Sequence, residues 1–349
     1  MSNLTTTDAP QHDPQEAQEV EGEQGRNSLL ARVAQNSTLR TLAILLGIVV
    51  IFSLFAPGDF TRLSNFRNIA TDAAILCILG VGMTFVIVTA GIDLSVGSVL
   101  VFSGVIGGKV MEAVGGDNWG VIIIGLIACL AAGAAWGVLN GVLITKARVP
   151  PLIVTLGTFG GALGVAQVIT GGVDLRSVPF TLVDTIGTGR VAGIPYLVLI
   201  AAGVAIVFGV VLAATRFGRY TYAIGSNVEA ALRSGVNVDR HLIKVYALAG
   251  FLSGLAGFLS LARFSTTTIG GHSTDNLSAI AAVVLGGTSL FGGLGTIAGT
   301  VIGVFIPVVL QNGFVVTGVQ PFWQQVAVGA VLIAAVYLDQ LRRRTQYRS

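Results

Sequence analysis

Charged residues are scarce in this sequence, and that scarcity excludes a water-soluble fold. Of the 349 residues, 11% are charged, 53% are hydrophobic and 47 are glycine. A soluble domain of this size carries charge on about a quarter of its residues. Lipid must therefore cover much of the molecular surface. The few bases are scattered among apolar runs rather than clustered with aromatic residues, so nucleic acid is not an expected partner.

Cysteine and histidine are also rare, which argues against a disulfide framework and against a metal site. Cys77 and Cys129 both lie inside apolar runs, and we interpret them as packing residues. His12, His241 and His272 stand far apart, without the spacing of metal ligands. The sequence therefore predicts no bound metal.

Motifs of enzymes and nucleotide-binding proteins are missing as well. The Gly-rich run at 104–109 has neither the spacing of a phosphate-binding loop nor the Ser or Thr that should follow it. No serine, cysteine or histidine group suggests a nucleophile with its base. We expect a protein that needs no cofactor and catalyses no bond chemistry.

The two ends of the sequence differ from the rest. Six of the 17 acidic residues lie in the first 25 positions, where large apolar side chains are almost absent. This composition predicts a disordered acidic tail and a cytoplasmic lead-in over 1–38. It is not a signal peptide, which would begin with a basic region and a short apolar core. A membrane domain is predicted over 39–341, and a basic cytoplasmic tail over 342–349.

Apolar runs long enough to cross a bilayer fill the membrane domain. A helix needs roughly 20 apolar residues to do so, since every backbone amide must be bonded internally. The predicted fold class is all-α, a polytopic membrane protein with about ten transmembrane helices. The spans run from Leu39 to Ala56, Ile69 to Ala90, Val96 to Ala113, Val121 to Thr145, Leu152 to Thr170, Ile194 to Ala214, Ile243 to Ala262, Leu277 to Leu290, Ile297 to Leu310 and Phe322 to Leu338. The final three are shorter, and flanking Gly, Thr and Ala extend them.

The distribution of Lys and Arg predicts that both termini are cytoplasmic. With the N-terminus inside, the inner segments hold 14 of the 20 bases, in keeping with the positive bias of cytoplasmic loops. The outer segments hold the other six, which are Arg62, Arg67, Lys109, Arg176, Arg190 and Arg263.

Two apolar helices are interrupted by similar Gly-rich segments. The first, at 91–98, reads GIDLSVGS, and the second, at 286–293, reads GGTSLFGG. Broken helices often line the substrate path of transporters built from internal repeats. An internal repeat is one hypothesis, and a chance likeness of two short segments is the other. The predicted substrate-path residues are Asp93, Ser95, Ser98, Thr288 and Ser289.

Asp93 is the most unusual residue of these breaks, because an unpaired carboxylate at membrane depth is costly. The hydroxyls of Ser95 and Ser98 and the freed helix ends can satisfy it. One interpretation is that Asp93 caps the helix starting near Ser95. The other is that it contacts a polar solute.

Small residues recur at helical spacing in the spans, for example Gly157, Gly160, Gly161 and Gly164. Such spacing lets transmembrane helices approach closely. We interpret most of these glycines as packing positions and the rest as places where helices break.

The segment between Ala214 and Ile243 is too polar to span a membrane and forms the longest predicted cytoplasmic loop, at about 216–242. Within it, a short helix should begin at Glu229 and end at Gly235. Such a helix can dock a partner, but it can equally be an ordinary solvated loop helix.

Four motifs make the sequence similar to a known family. They read VGMTFVIVTAGIDLSVGS (81–98), GRYTYAIGSNVEAALRSGVNV (218–238), AIAAVVLGGTSLFGGLGTIAGTVIG (279–303) and LQNGF (310–314). From about Leu42 to Leu338 the chain resembles the permease subunits of bacterial ribose-type monosaccharide ATP-binding-cassette (ABC) importers. The acidic tail up to Gly25 is not part of the shared pattern.

The resemblance implies a permease of the bacterial inner membrane that moves a monosaccharide, ribose or a related sugar, along a central path. It implies three kinds of partner: ATP-binding-cassette subunits that hydrolyse ATP, an extracytoplasmic sugar-binding protein, and a second permease copy, identical or paralogous. It also identifies the polar loop as the segment that couples to the ATPase, with the residues Gly218, Gly225, Asn227, Glu229, Ala230, Ala231 and Gly235. The Leu-Pro pair that closes this loop in older importer families is absent, and His241-Leu242-Ile243 stands there instead.

An ion-driven secondary transporter is the competing function. It would need carboxylates inside the membrane for coupling. Asp72, Asp93, Glu112 and Asp275 all lie near predicted helix ends, which makes this function less suitable. A membrane enzyme is the weakest alternative.

Overall fold

A computed structural model describes residues 37–272 and 274–320, together with the single helical residues 323, 326, 329, 330 and 333. The predicted acidic tail up to residue 36 and the basic tail lie outside the described residues. Apart from those five single positions, the predicted span from Phe322 to Leu338 lies outside them too.

Helices make up nearly all of the regular secondary structure in the described chain, as predicted. They are α1 (Ser37–Phe55), α2 (Leu63–Val88), α3 (Val96–Val114), α4 (Trp119–Thr145), α5 (Pro151–Thr170), α6 (Phe180–Leu182), α7 (Tyr196–Ala214), α8 (Arg216–Ser226), α9 (Val228–Arg233), α10 (Val238–Phe264), α11 (Asp275–Leu285) and α12 (Ile297–Val316). A π-helical turn, Val183–Gly187, follows α6. Two antiparallel strands of two residues each, β1 (Arg190–Val191) and β2 (Ile194–Pro195), precede α7.

Eight of these helices, α1 to α5, α7, α10 and α12, are long and apolar enough to cross a membrane. They correspond to predicted spans, so the prediction of an all-α polytopic membrane protein is confirmed. Their ends differ in places. α10 begins at Val238 rather than at Ile243, because the Asn237 side chain accepts a hydrogen bond from the Arg240 backbone N–H and caps a polar first turn.

The predicted span from Leu277 to Leu290 is too long. α11 has 11 residues, about 16 Å of helix, or roughly half of the hydrocarbon core of a bilayer. The helix ends at a turn in which Gly287 has a φ of +93°, a conformation that favours glycine. The chain therefore breaks after this short helix and resumes as α12.

The helices α2 and α10 form the centre of the bundle. In the most apolar 18 residues of each helix, 94% of the residues are buried in α2 and 78% in α10, against 11% in α1 and 17% in α7. Glycine allows α4 to approach α10 closely, since a Cβ on Gly137 would lie 2.9 Å from the Cα of Ala247. Cys77 and Cys129 are both buried, as the packing interpretation predicts.

Three glycines of α5 have no neighbour among the described residues, whereas Gly161 faces the Trp136 ring. No atom lies within 4 Å of the position that a Cβ would take on Gly157, Gly160 or Gly164. The packing interpretation therefore stays a prediction for these three glycines, because α5 lies at the edge of the described bundle. Glycine spacing cannot distinguish an edge helix from a central one, since lipid is as apolar as a neighbouring helix.

Candidate translocation and coupling sites

The first break joins α2 to α3 and is held by its own backbone. Gly91 donates its N–H to the carbonyl oxygen of Val86 at 3.1 Å, and Ala90 turns the chain at a φ of +62°. Gly91 also faces Tyr246, since an added Cβ would lie 2.6 Å from the tyrosine hydroxyl. This break lies against the central helix α10.

Asp93 is 2% exposed and is satisfied within the break. Its Oδ1 accepts hydrogen bonds from the Ser95 backbone N–H at 2.8 Å and from Ser95 Oγ at 2.6 Å. Ser98 Oγ donates to the Ser95 carbonyl at 2.9 Å. The carboxylate thus fixes the turn that leads into α3, in the way that Asp side chains bond two residues onward. The capping interpretation has direct contacts in its favour, and contact with a solute stays a prediction.

Two asparagines from distant helices hold the same break, and sequence reasoning missed both. Asn140 donates its Nδ2 to Ser95 Oγ at 2.8 Å, and Asn276 donates its Nδ2 to the Leu94 carbonyl at 3.0 Å. A buried asparagine in an apolar run, as in VLNGVL around Asn140, is the signal that could have revealed them.

Three buried oxygens around this break have no partner among the described residues. They are Asn140 Oδ1, Asn276 Oδ1 and the hydroxyl oxygen of Tyr246. Buried polar atoms are nearly always hydrogen-bonded in native proteins. The first break is therefore a polar pocket of the bundle with unused hydrogen-bonding capacity.

The second break joins α11 to α12 and buries its polar side chains. Thr288 is 1% and Ser289 4% exposed. Thr288 Oγ1 has no hydrogen-bond partner among the described residues. Ser289 donates its backbone N–H to the Leu294 carbonyl at 3.0 Å, which closes the turn.

The two breaks meet through their backbones. Gly293 donates its N–H to the Val88 carbonyl at 2.9 Å, and an added Cβ on Gly292 would lie 2.9 Å from the Ala90 nitrogen. The contact therefore joins the chain just before Asp93 to the chain just after Ser289. The helices that precede the two breaks differ in length, with 26 residues in α2 and 11 in α11. The internal repeat therefore stays a prediction.

The polar segment between α7 and α10 folds into two short helices, where the sequence predicted one, and a side chain caps the start of each. Thr215 accepts from the Gly218 N–H and caps α8, and Asn227 accepts from the Ala230 N–H at 2.9 Å and caps α9. Gly235 follows α9 at a φ of +80°, as the predicted helix end requires. We call residues 216–237 the coupling segment.

Of the two alanines of α9 among the predicted coupling residues, Ala230 is exposed and Ala231 is not. Ala231 is 3% exposed and packs with Ile224 and Val238 in a small core of the segment, so it cannot offer a surface to a partner. The exposed apolar side chains are instead Val228 and Leu232, at 46% and 54%. Because they stand four residues apart on one helix, they share a face.

An exposed ion pair lies on α9. Glu229 and Arg233 lie 3.4 Å apart, and both side chains are more than 80% exposed. Such a pair adds only a few tenths of a kcal/mol, about 0.3 at this spacing.

The coupling segment touches both breaks through α8. A Cβ on Gly225 would overlap the Val88 carbonyl oxygen and would lie 2.7 Å from the Gly293 nitrogen. Tyr222, which sequence reasoning missed, donates its hydroxyl to the Gly295 carbonyl at 2.6 Å, and burial raises the pKa of that hydroxyl. Gly218 is equally tight, with Leu212 Cα 2.7 Å from its Cβ position. The glycines at 218 and 225 thus allow the backbone of α8 to lie close to the neighbouring backbone segments.

The fold is a bundle of membrane-spanning helices with two breaks that contact each other and the coupling segment. These features define the class of the protein as a multi-pass transport permease. The chain belongs to the family described as the branched-chain amino acid transport system permease component, whose profile matches residues 65–336. No solved structure matches the chain.

Three curated relatives are similar to nearly the whole chain. The Ribose import permease protein RbsC of Escherichia coli K12 is 39% identical over 311 residues, covering 87% of this chain and 94% of the relative. RbsC of Bacillus subtilis is 40% identical, covering 88% and 95%. The Galactose/methyl galactoside import permease protein MglC of Escherichia coli K12 is 34% identical, covering 91% and 97%.

Proposed function

We propose that this protein is the permease subunit of an ABC importer that carries a monosaccharide, ribose or a related sugar, across the bacterial inner membrane. The observation that carries the proposal is the similarity to ribose and galactoside import permeases over nearly the whole length of each chain. The two breaks, with their buried and partly unused polar groups, supply the lining that such a path needs.

In this proposal the permease performs no bond chemistry, and a partner chain hydrolyses the ATP. The exposed face of α9 with Val228 and Leu232 is the docking surface for that partner. An extracytoplasmic sugar-binding protein delivers the sugar at the opposite end, and a second permease copy, identical or paralogous, completes the path.

The contacts of α8 explain how a partner's movement would reach the path. Gly225 packs on Val88, and Tyr222 is hydrogen-bonded to Gly295, so α8 is attached to both breaks. A displacement of the coupling segment must therefore move the breaks or rupture these contacts. Since packed interfaces switch between discrete arrangements rather than deforming continuously, the two breaks would change together.

The orientation follows from the bases. Arg216, Arg219, Arg233, Arg240 and Lys244 lie in or beside the coupling segment, and such bases favour the cytoplasmic side. We infer that this segment and both termini are cytoplasmic. The end of the bundle at the C-terminus of α10 then faces outward.

The competing function, an ion-coupled secondary transporter, is not favoured. Its coupling carboxylates would have to gain and lose an ion during transport. Asp72 is instead paired with Arg263 at 3.2 Å, and Asp275 with His272 at 2.7 Å. Asp93 already accepts two hydrogen bonds from Ser95.

Uptake of radiolabelled ribose by cells that express the whole importer tests the proposal, with a panel of unlabelled sugars as competitors. We expect competition by pentoses and loss of uptake when the partner's ATP hydrolysis is disabled. Absence of competition by any pentose would overturn ribose as the substrate. Uptake that survives ATPase inactivation but stops with an ionophore would favour the secondary transporter.

A further inference from the structure

A polar cavity of about 410 Å³ opens at the end of the bundle opposite the coupling segment. It lies between the first turns of α2 and α11 and the last turns of α10 and α12. Its wall includes Asp72, Arg263, His272, Asp275, Ser278 and Gln311. Polar side chains make up more than half of the residues that line the cavity.

The charges on the wall largely neutralise one another. Arg263 lies 3.2 Å from Asp72 and His272 Nδ1 lies 2.7 Å from Asp275. The other ring nitrogen of His272 lies 2.8 Å from Ser260 Oγ. Two carboxylates against one guanidinium leave no excess positive charge for an anion, and both carboxylates are already engaged.

Hydrogen-bonding capacity remains on the same side chains. Ser278 is 2% exposed, and its hydroxyl has no partner among the described residues. Arg263 Nε is likewise buried without one. Gln311, on the same wall, carries an amide that both donates and accepts, so the wall suits a ligand that supplies both donors and acceptors.

We propose that this cavity is a binding subsite of the permease for a neutral polyhydroxylated solute, a sugar on its way into the path. The proposal rests on the proposed function. Hydroxyl groups both donate and accept, so one ligand can serve carboxylate, guanidinium, amide and serine groups together. Phe264 is also on the wall, and an aromatic side chain can pack against the C–H side of a sugar ring. The volume is in the range of small-molecule pockets.

Cysteine protection tests the subsite on the full-length permease in nanodiscs, without its partners. Gln311→Cys places a thiol on the wall, and the two native cysteines are buried. We expect tens of millimolar ribose to slow its reaction with a charged methanethiosulfonate reagent severalfold, and gluconate or choline to leave the rate unchanged. Arg176→Cys, in the loop after α5, is the control whose labelling no sugar should alter.

Three results would overturn the proposal: reaction of the introduced thiol that no neutral sugar slows, protection by gluconate or choline as strong as by ribose, or failure of the reagent to reach that thiol. The assay does not depend on transport. A wild-type importer that takes up no sugar would defeat the proposed function, whereas normal uptake without protection of the Gln311→Cys variant would defeat only the subsite.

A second measurement uses uptake by the whole importer. Gln311→Leu removes the amide from the wall and should lower the maximal rate severalfold, while Gln311→Asn should retain most of it. Gln167→Leu, an exposed position on α5, is the matched control. Equal maximal rates for Gln311→Leu and Gln167→Leu at equal abundance would contradict the assignment.

Discussion

Gly293 and Val88 are joined by a backbone hydrogen bond of 2.9 Å, which ties the second break of the bundle to the end of α2. Gly225 of the coupling segment packs on the same point, because a Cβ at this position would overlap the Val88 carbonyl oxygen. Three segments that are far apart in sequence therefore share one backbone junction. Movement of any one of them must carry the other two along or break the junction.

Gly225→Ala should damage transport more than its size suggests. The added methyl group would overlap the Val88 oxygen, and overpacking of this kind costs about 1–3 kcal/mol. We expect a lower melting temperature in detergent and strongly reduced uptake. Gly203→Ala on α7, where no atom lies within 4 Å, is the matched control and should behave as wild type. Equal behaviour of the two variants would show that the junction is not tight.

Asp93→Leu should impair assembly, whereas Asp93→Asn should assemble but transport slowly. Leucine leaves the Ser95 N–H and hydroxyl without their acceptor in a buried site, at about 1–3 kcal/mol for each lost partner. Asparagine keeps one oxygen and removes the charge. Permease abundance in membranes and initial uptake rates separate the two effects. Full uptake by Asp93→Leu at normal abundance would end this interpretation.

Gly235→Val should release the ATP-binding partner. Its φ of +80° strains a β-branched residue by on the order of 1 kcal/mol or more, although there is open space around its Cβ position. The variant should be present at normal abundance, with loss of ATPase co-purification and of uptake. Gly235→Asn, which tolerates positive φ, should retain both. Normal function of Gly235→Val would remove the coupling role from this turn.

Leu232→Ser should weaken the same partner without harming the permease. Leu232 is 54% exposed and shares its face with Val228, so the change removes apolar surface from the docking face and little from the core. We expect an unchanged melting temperature and severalfold less co-purified ATPase. Undiminished co-purification would place the docking surface elsewhere.

Thr5→Cys and Thr345→Cys test the cytoplasmic position of both termini. Neither should react with a membrane-impermeant maleimide in intact cells, and both should react after permeabilisation. The native cysteines are buried and give little background. Reaction at either position in intact cells would reverse the topology.

The sequence by itself determined the membrane class, eight of the spans, the places where two helices break, and the helix end at Gly235. Hydropathy acts over one span and capping over one turn. Both depend on residues that are neighbours in the sequence, so a local sequence pattern predicts them. The length of α11 was the exception, because glycines that end a helix and glycines that pack within one look alike in sequence.

Only the tertiary structure decided which of these features meet. Asn140 and Asn276 reach the first break from 45 and 182 positions away, and no local pattern records such a distance. The structure also buried Ala231 in the coupling segment and left the α5 glycines at the edge of the bundle. The physical reason is that lipid and protein interior are both apolar. A membrane sequence therefore reveals what is apolar but not which apolar face has a neighbour.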